Sequence, residues 1–188
     1  GYGFYWFLLA EETAAPQWHV EMPDVLPEFV TLTTRDQRIE TALSGRDQRH
    51  FDQEVLPEFL RLQRWFAGKD QQLGQVTLQP LVSLSNGQYV LSVIDAQTQD
   101  GNQRYLMPLS ARWGEENVRF GAPKLSYTIA KLRRGSTVGA LLDGAYDENL
   151  AATLLDHLRR GGSLNTSGGG LITFQPSERL ASVAVTDE

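Results

Sequence analysis

The sequence predicts an α+β fold in which an antiparallel β-meander packs on a helix. Four apolar residues at spacings of four, four and three predict the helix, because these spacings place their side chains on one helical face. They are Phe51, Val55, Phe59 and Leu62. Downstream, short runs of alternating apolar residues separated by turn residues predict the meander. Packing the helix on the meander buries both apolar faces.

Residues around the predicted helix indicate where it begins and where it is interrupted. Ser44 is a candidate N-cap, and Asp47 follows three residues later in a weak form of the capping box. Pro57 lacks a backbone N–H, so we expect a break there and a second short helix beginning at it. Upstream, residues 29–34 favour a short strand because they are rich in β-branched side chains, and residues 39–43 favour a brief helix.

The meander is predicted to contain five strands. They cover residues 76–84, 89–93, 105–109, 125–129 and 138–142. Asn86-Gly87 indicates a two-residue hairpin, because both central positions of that turn favour positive φ. Pro80 and Pro108 indicate bulges or sheet edges, since proline cannot donate a hydrogen bond to a neighbouring strand.

A second helix is predicted after the meander. Asp147 and Glu148 open it, leucines at a four-residue spacing line one face, and Gly161-Gly162 ends it. The glycine-rich residues 161–170 are predicted to be a mobile connection, and residues 171–174 a short strand.

Composition excludes several classes of protein. The 188 residues carry a net charge of −6, which argues against a general binder of nucleic-acid backbones. The absence of cysteine excludes disulfides and thiolate zinc sites and fits a cytoplasmic protein. The aromatic N-terminal run is too short to span a membrane and lacks the positive flank of a signal peptide. We interpret residues 2–7 as a β-strand without its neighbours, and hence the chain as a piece of a longer protein.

No pattern of reactive residues indicates a catalytic, cofactor-binding or metal site. The histidines lie far apart, and adjacent carboxylates such as Glu11-Glu12 do not face one another on a helix or strand. No serine stands in a GxSxG pattern, and the glycine-rich loop lacks the lysine of a Walker loop. We therefore assign no catalytic residue to this chain.

An aromatic and cationic cluster follows the first helix, with Arg64-Trp65-Phe66 leading to Lys69. In one interpretation the two rings cover the end of the sheet, and Gly68 turns the chain into the first strand of the meander. In the other, the rings and cations form an exposed binding patch.

This stretch resembles the N-terminal cap of bacterial maltokinases. The residues that carry the resemblance are Leu56, Pro57, Gln63, Arg64, Trp65, Phe66 and Lys69. Upstream, GYGFYWFLL resembles the last strand of the C-terminal β-domain of trehalose synthase, which is fused to maltokinase in many bacteria. The resemblance implies four parts. They are a final synthase strand at 1–12, a linker with a short strand and helix at 13–45, the cap at 46–124, and part of a small α/β intermediate subdomain at 125–188.

The resemblance also implies a function for the parent protein. The parent would phosphorylate maltose with ATP and Mg²⁺ to give maltose 1-phosphate for α-glucan synthesis, and its synthase half would interconvert maltose and trehalose. The cap would be cystatin-like, a sheet wrapped around a helix, with the kinase N-lobe and C-lobe and the synthase as partners. Lys69, Lys124 and Lys131 lie outside the context of a phosphate-anchoring lysine, so no catalytic residue is carried over. The first hypothesis is a non-catalytic cap.

Two other hypotheses remain open. An independent module for binding maltose or glucan is conceivable because the chain has four tryptophans, and sugars stack on exposed aromatic rings. Trp113 with the nearby Glu115 is the candidate contact for a sugar or a partner. A stand-alone enzyme ranks last for want of a plausible site.

Overall fold

The computed structural model describes residues 28–182. The strands are β1 (Thr31–Thr33), β2 (Val76–Leu84), β3 (Tyr89–Thr98), β4 (Gly101–Trp113), β5 (Thr128–Arg134), β6 (Thr137–Asp143), β7 (Gly162–Asn165) and β8 (Leu171–Phe174). The helices are α1 (Ile39–Ala42), α2 (Gly45–His50), α3 (Leu56–Leu62), α4 (Glu148–Arg160) and α5 (Glu178–Ser182). The predicted strand at residues 2–7 lies outside the described residues.

Six strands form one sheet in the order β1-β5-β6-β4-β3-β2, and β7 and β8 form a separate hairpin. Only β1 and β5 pair in parallel within the larger sheet, and its other neighbours are antiparallel. The predicted α+β class is confirmed. The predicted boundary between the cap and the intermediate subdomain, between residues 124 and 125, lies between β4 and β5, which belong to the same sheet. The four-part division of the chain stays a prediction.

The helix that packs on the sheet runs from α2 through a π-helical turn, Phe51–Val55, into α3. The break predicted at Pro57 is wrong, because Val55 and Leu56 before it have helical dihedrals and the chain passes from the π-helical turn into α3 without interruption. The proline instead follows directly on that wider turn, in which the Leu56 N–H donates to the Phe51 carbonyl. Phe51 and Phe59 are buried as expected. The placement of Leu62 on the buried face is wrong, because α3 ends at this residue and leaves it 81% exposed.

The predicted capping box at the start of α2 is also wrong. Ser44 occupies the N-cap position, but its Oγ donates to the Thr41 carbonyl at 2.8 Å. The Asp47 carboxylate accepts from Thr33 Oγ1 of β1 at 3.1 Å. Asp47 therefore ties α2 to the sheet, and a tertiary contact has replaced the local one.

One turn and the start of one strand differ from the prediction. The hairpin at Asn86-Gly87 is a four-residue loop between the Leu84–Tyr89 pair, and positive φ begins one residue early, at Ser85. Residues Leu125–Tyr127 form a 3₁₀ turn, so the strand predicted to start at 125 starts at 128. The bulge predicted at Pro80 is confirmed by a shift of register between it and Val82.

The outer edge of β2 is covered by side chains and backbone from two distant segments. Asp52 accepts from the Leu78 N–H at 3.0 Å, and Gln48 Nε2 donates to the Leu78 carbonyl at 3.1 Å. Further along, Ser167 donates from its N–H to Leu81 O at 2.8 Å and from its Oγ to Pro80 O at 2.6 Å. The glycine-rich loop is therefore anchored to β2, which corrects its prediction as a mobile connection.

Two apolar clusters hold the described residues together. The main cluster lies between the α2–α3 helix and the sheet. The second joins Leu84, Tyr89 and Leu91 to Leu150 of α4, and Leu164 of β7 packs against it. The second predicted helix is confirmed as α4, which docks on the sheet beside the β7–β8 hairpin.

Candidate functional site

The aromatic cluster lies where α3 ends and the chain crosses to β2. Phe66 is 1% exposed, whereas Trp65 is 37% exposed. Their rings meet edge to face at 6.3 Å, and both contact the Tyr105 ring of β4, at 5.5 Å from Trp65 and 5.4 Å from Phe66. The Ala67 N–H donates to the Tyr105 hydroxyl at 3.3 Å. Three rings thus form a corner between helix and sheet, with one ring reaching the surface.

The other residues of the maltokinase-like stretch lie on either side of this corner. Leu56 is fully buried, and Pro57 begins α3. Gln63 is the C-cap of α3, and its Nε2 donates to a carbonyl of that helix at 3.2 Å. The cations Arg64 and Lys69 are exposed. Within the stretch, Leu56 and Phe66 are thus buried, Trp65 is partly exposed, and both cations are exposed. Whether the cations have a function stays a prediction.

A buried carboxylate that sequence reasoning missed lies beside the corner. Asp143, at the end of β6, is 3% exposed. Burial raises the pKa of the Asp143 carboxyl, and hydrogen bonds from the Ala145 N–H and from Trp65 offset part of that shift. The indole of Trp65 therefore contributes a polar contact as well as apolar area, so its role is not purely that of a core ring.

Trp113 and Glu115 are not a fully exposed pair. Trp113 ends β4 and is half-buried, packed against the main core. Glu115 is exposed in the 3₁₀ turn that follows, and Asn117 Nδ2 donates to the Trp113 carbonyl at 3.0 Å. Trp113 therefore leaves only part of its ring for a sugar or partner, and the proposed contact stays untested.

We expect Gly139→Ala to destabilise the protein by about 1–3 kcal/mol, the usual cost of overpacking. A Cβ at Gly139 of β6 would lie 2.6 Å from the Arg112 carbonyl and 3.0 Å from Trp113 Cα, and backbone atoms cannot move aside. Gly168→Ala is the control, since the nearest atom to the new Cβ would be the flexible Gln79 Nε2 at 3.6 Å, an ordinary contact. Urea denaturation measures both, and an equal effect of the two would contradict the steric argument.

A buried ion pair joins the sheet to the start of α4. The Asp147 side chain is fully buried, and Arg112 of β4 donates to it from Nε at 2.8 Å and Nη2 at 2.5 Å. Ser110 Oγ also donates to this carboxylate, and the Asn149 N–H does so at 3.0 Å as the N-cap bond of α4. One carboxylate thus fixes two residues of β4 and the first turn of α4.

Burial and hydrogen bonding act in opposite directions on Asp147. Burial alone would raise the pKa of this carboxyl, but hydrogen bonds from Arg112, Ser110 and the Asn149 N–H outweigh it, and the pKa is lowered. Glu148 next to it accepts from Lys124, and that hydrogen bond is the main cause of its own lowered pKa. Asp147 is therefore ionised at neutral pH, and the cluster is a structural joint.

The described residues offer grooves but no assembled metal site. A groove of about 450 Å³ lies between the π-helical turn and the start of β2, lined in part by Arg49 and Asp52. Burial raises the pKa of the Asp52 carboxyl, and hydrogen bonds from Gln48 and from the Leu78 N–H offset only part of that rise. Within residues 28–182, no group of three or more His, Asp or Glu could hold a metal ion, and no helix is long and apolar enough to cross a membrane.

Together, these features define a small α+β domain in which a sheet packs on a helix and a buried ion pair fixes its far end to α4. Residues 59–147 match the family model of the maltokinase N-terminal cap domain. This match agrees with the resemblance to a maltokinase N-terminal cap that the stretch around Trp65 carries. The match begins inside α3 and ends at Asp147, the N-cap of α4. No curated protein matches the chain.

Proposed function

We propose that this chain is the non-catalytic cap region of a maltokinase that is fused to a trehalose synthase. The kinase would transfer the γ-phosphoryl group of ATP to maltose, giving maltose 1-phosphate, in the cytoplasm, where ATP is available. The match of residues 59–147 to the maltokinase cap family is the observation that carries the proposal. The resemblance of residues 1–12 to a synthase strand supports the fusion.

We propose that ATP and Mg²⁺ bind to the kinase domain and not to residues 28–182. Phosphoryl transfer of this kind requires a lysine on the nucleotide phosphates and acidic or amide side chains that hold the metal. Lys124 is engaged with Glu148 and with the Tyr146 carbonyl, the latter at 2.5 Å. Residues 28–182 contain no cluster of three metal-binding side chains. No step of the phosphoryl transfer is therefore assigned to this chain.

The joint at Asp147 supports a role in positioning. Arg112 and Ser110 hold the last residue of the matched cap against β4, so α4 leaves the sheet in a fixed direction. A cap attached in this way can transmit its orientation to whatever α4 leads into. We propose that the cap braces the kinase domain and sets its orientation.

A phosphorylation assay tests the proposed function. The whole protein should convert maltose and ATP·Mg²⁺ to maltose 1-phosphate and ADP, and residues 1–188 alone should show no turnover. Glucose in place of maltose controls for general sugar kinase activity. Turnover by the isolated chain that survives repurification, or a whole protein inactive on maltose, would overturn the proposal.

The alternative function, a module that binds maltose or glucan, is favoured by the partly exposed ring of Trp65 beside Tyr105. Titrating maltose and maltooligosaccharides while following tryptophan fluorescence tests it. Under the cap proposal the fluorescence of residues 1–188 stays unchanged up to millimolar sugar, whereas a saturable change that Trp65→Phe abolishes would favour the binding module.

A further inference from the structure

An apolar groove opens on the side of the helix opposite the start of β2. It has a volume of about 250 Å³ and lies between the π-helical turn and α3 on one side and residues 28–30 and the start of β5 on the other. Its floor includes Val55, Phe59 and Ile129, which are also part of the main core. Leu62 lines the groove and is 81% exposed, so a large aliphatic side chain stands at its margin in contact with solvent.

The rim of this groove is acidic. Glu28, Glu54 and Glu58 line it, and its lining includes no lysine, arginine or histidine. Glu54 accepts from His50 Nδ1 at 3.1 Å, but that histidine lies outside the lining. All three glutamates are exposed, and an apolar floor with acidic margins is complementary to an apolar segment flanked by cations.

We propose that this acidic groove binds a basic amphipathic segment of the kinase domain, with an aliphatic or aromatic side chain over Ile129 and Leu62 and with lysine or arginine against the glutamates. The inference rests on the proposed function, since it takes the kinase domain as the partner. It adds a docking surface at which the cap would hold that domain. This surface is separate from the joint at Asp147, which lies within the chain.

Two other occupants fit the charges less well. Residues 13–27 directly precede Glu28, but they carry Glu21 and Asp24 and no lysine or arginine, so the acidic rim would repel them. A second copy of the chain, docked by the same face about a two-fold axis, would bring the three glutamates against their own copies. Like charges placed across an interface disfavour both arrangements.

Photo-crosslinking in the whole protein tests the proposal. Leu62→p-benzoylphenylalanine places the crosslinker at the margin of the groove, and Leu171→p-benzoylphenylalanine is the control on β8, where the side chain is 61% exposed. After irradiation, mass spectrometry identifies the joined peptides. We expect position 62 to crosslink to a kinase-domain peptide in which lysine or arginine flanks an apolar residue, and position 171 not to reach that peptide.

Charge reversal shows whether the rim matters. In the double variant Glu54→Lys/Glu58→Lys, the crosslink yield from position 62 should fall by at least about tenfold, because like charges then face one another. Asp70→Lys/Asp156→Lys makes the same change of charge at exposed positions outside the groove, and its yield should be unchanged. Circular dichroism checks that both variants fold.

The outcomes separate the two proposals. A crosslink to residues 13–27, a crosslink between two copies, no crosslink to the kinase domain, or a yield that charge reversal leaves unchanged would each overturn the docking proposal. The maltose phosphorylation assay on the same protein judges the proposed function by itself. A basic segment crosslinked in a protein inactive on maltose would therefore support the groove and contradict the kinase assignment.

Discussion

Replacing Phe66 with alanine is expected to lower the free energy of unfolding by about 3–5 kcal/mol, the usual cost of removing a buried phenylalanine ring. Phe66 is 1% exposed, and its ring contacts Trp65 and Tyr105. Gly68 also approaches this ring, since a Cβ at that position would lie 2.9 Å from it. The corner between α3 and β2 therefore depends on this side chain.

Trp65→Ala is the matched comparison for Phe66→Ala. Because 37% of Trp65 is exposed, Trp65→Ala should lower the free energy of unfolding by less than Phe66→Ala, although it also removes the contact with Asp143. Urea denaturation at pH 7 gives both free energies. If Trp65→Ala is the more destabilising of the two, the tryptophan rather than the phenylalanine anchors the corner.

Replacing Arg112 with methionine is expected to cost about 3–5 kcal/mol at pH 7, because it leaves the buried carboxylate of Asp147 without its cation. Methionine keeps much of the apolar stem of the arginine, so most of the loss should be electrostatic. Arg104, on the same strand as Arg112, forms an exposed ion pair with Asp95 of β3 and gives a control. Arg104→Met should cost about 0–1 kcal/mol, as surface ion pairs usually do.

The cost of Arg112→Met should depend on pH. In the wild-type protein the folded pKa of Asp147 is lowered, so this group contributes stability above its unfolded pKa and loses it as pH falls through the folded pKa. In the variant, burial is no longer offset by the arginine, so the pKa of the Asp147 carboxyl should rise. As pH falls, this carboxyl then takes up a proton at a higher pH than in the wild-type protein and becomes neutral. The difference in free energy of unfolding between the wild-type protein and Arg112→Met should therefore become smaller as pH falls from 7 to about 4. Urea denaturation across this pH range measures the difference, and a difference that does not change with pH would mean that lost packing, not the unpaired charge, causes the destabilisation.

The helix and the pairing of β2, β3 and β4 were predictable from local periodicity and the short turns between these strands. The order of the later strands was predicted wrongly, since a meander would place β5 beside β4, whereas β6 pairs with β4 and lies between them. Phe51 and Phe59 share a helical face whatever they pack against, and the alternation in β2 and β3 survives the bulge at Pro80. The prediction that Leu62 is buried failed because the spacing of apolar residues does not say where a helix ends relative to the sheet. Its 81% exposure reflects an end that only the tertiary structure defines.

The candidate site was only partly predictable. The stretch around Trp65 and Phe66 stood out by composition, but the sequence could not say which ring is buried. The Arg112–Asp147 pair was missed because its members are 35 residues apart, with three 3₁₀ turns and two strands between them. One signal was available, since Arg112 interrupts an otherwise small and apolar stretch of its strand, and such a cation implies a partner.

The covering of β2 has a consequence for how the protein can be divided. Gln48 and Asp52 bond to its backbone before the bulge, at Leu78, and Ser167 bonds to the carbonyls of the bulge itself, Pro80 and Leu81. All three lie outside the 59–147 match, so a piece trimmed to those limits would present bare peptide groups to its neighbours. Such a piece would tend to stack strand against strand into insoluble material. We therefore expect a stable piece of this protein to extend beyond residues 59–147, at least from Gln48 to Ser167.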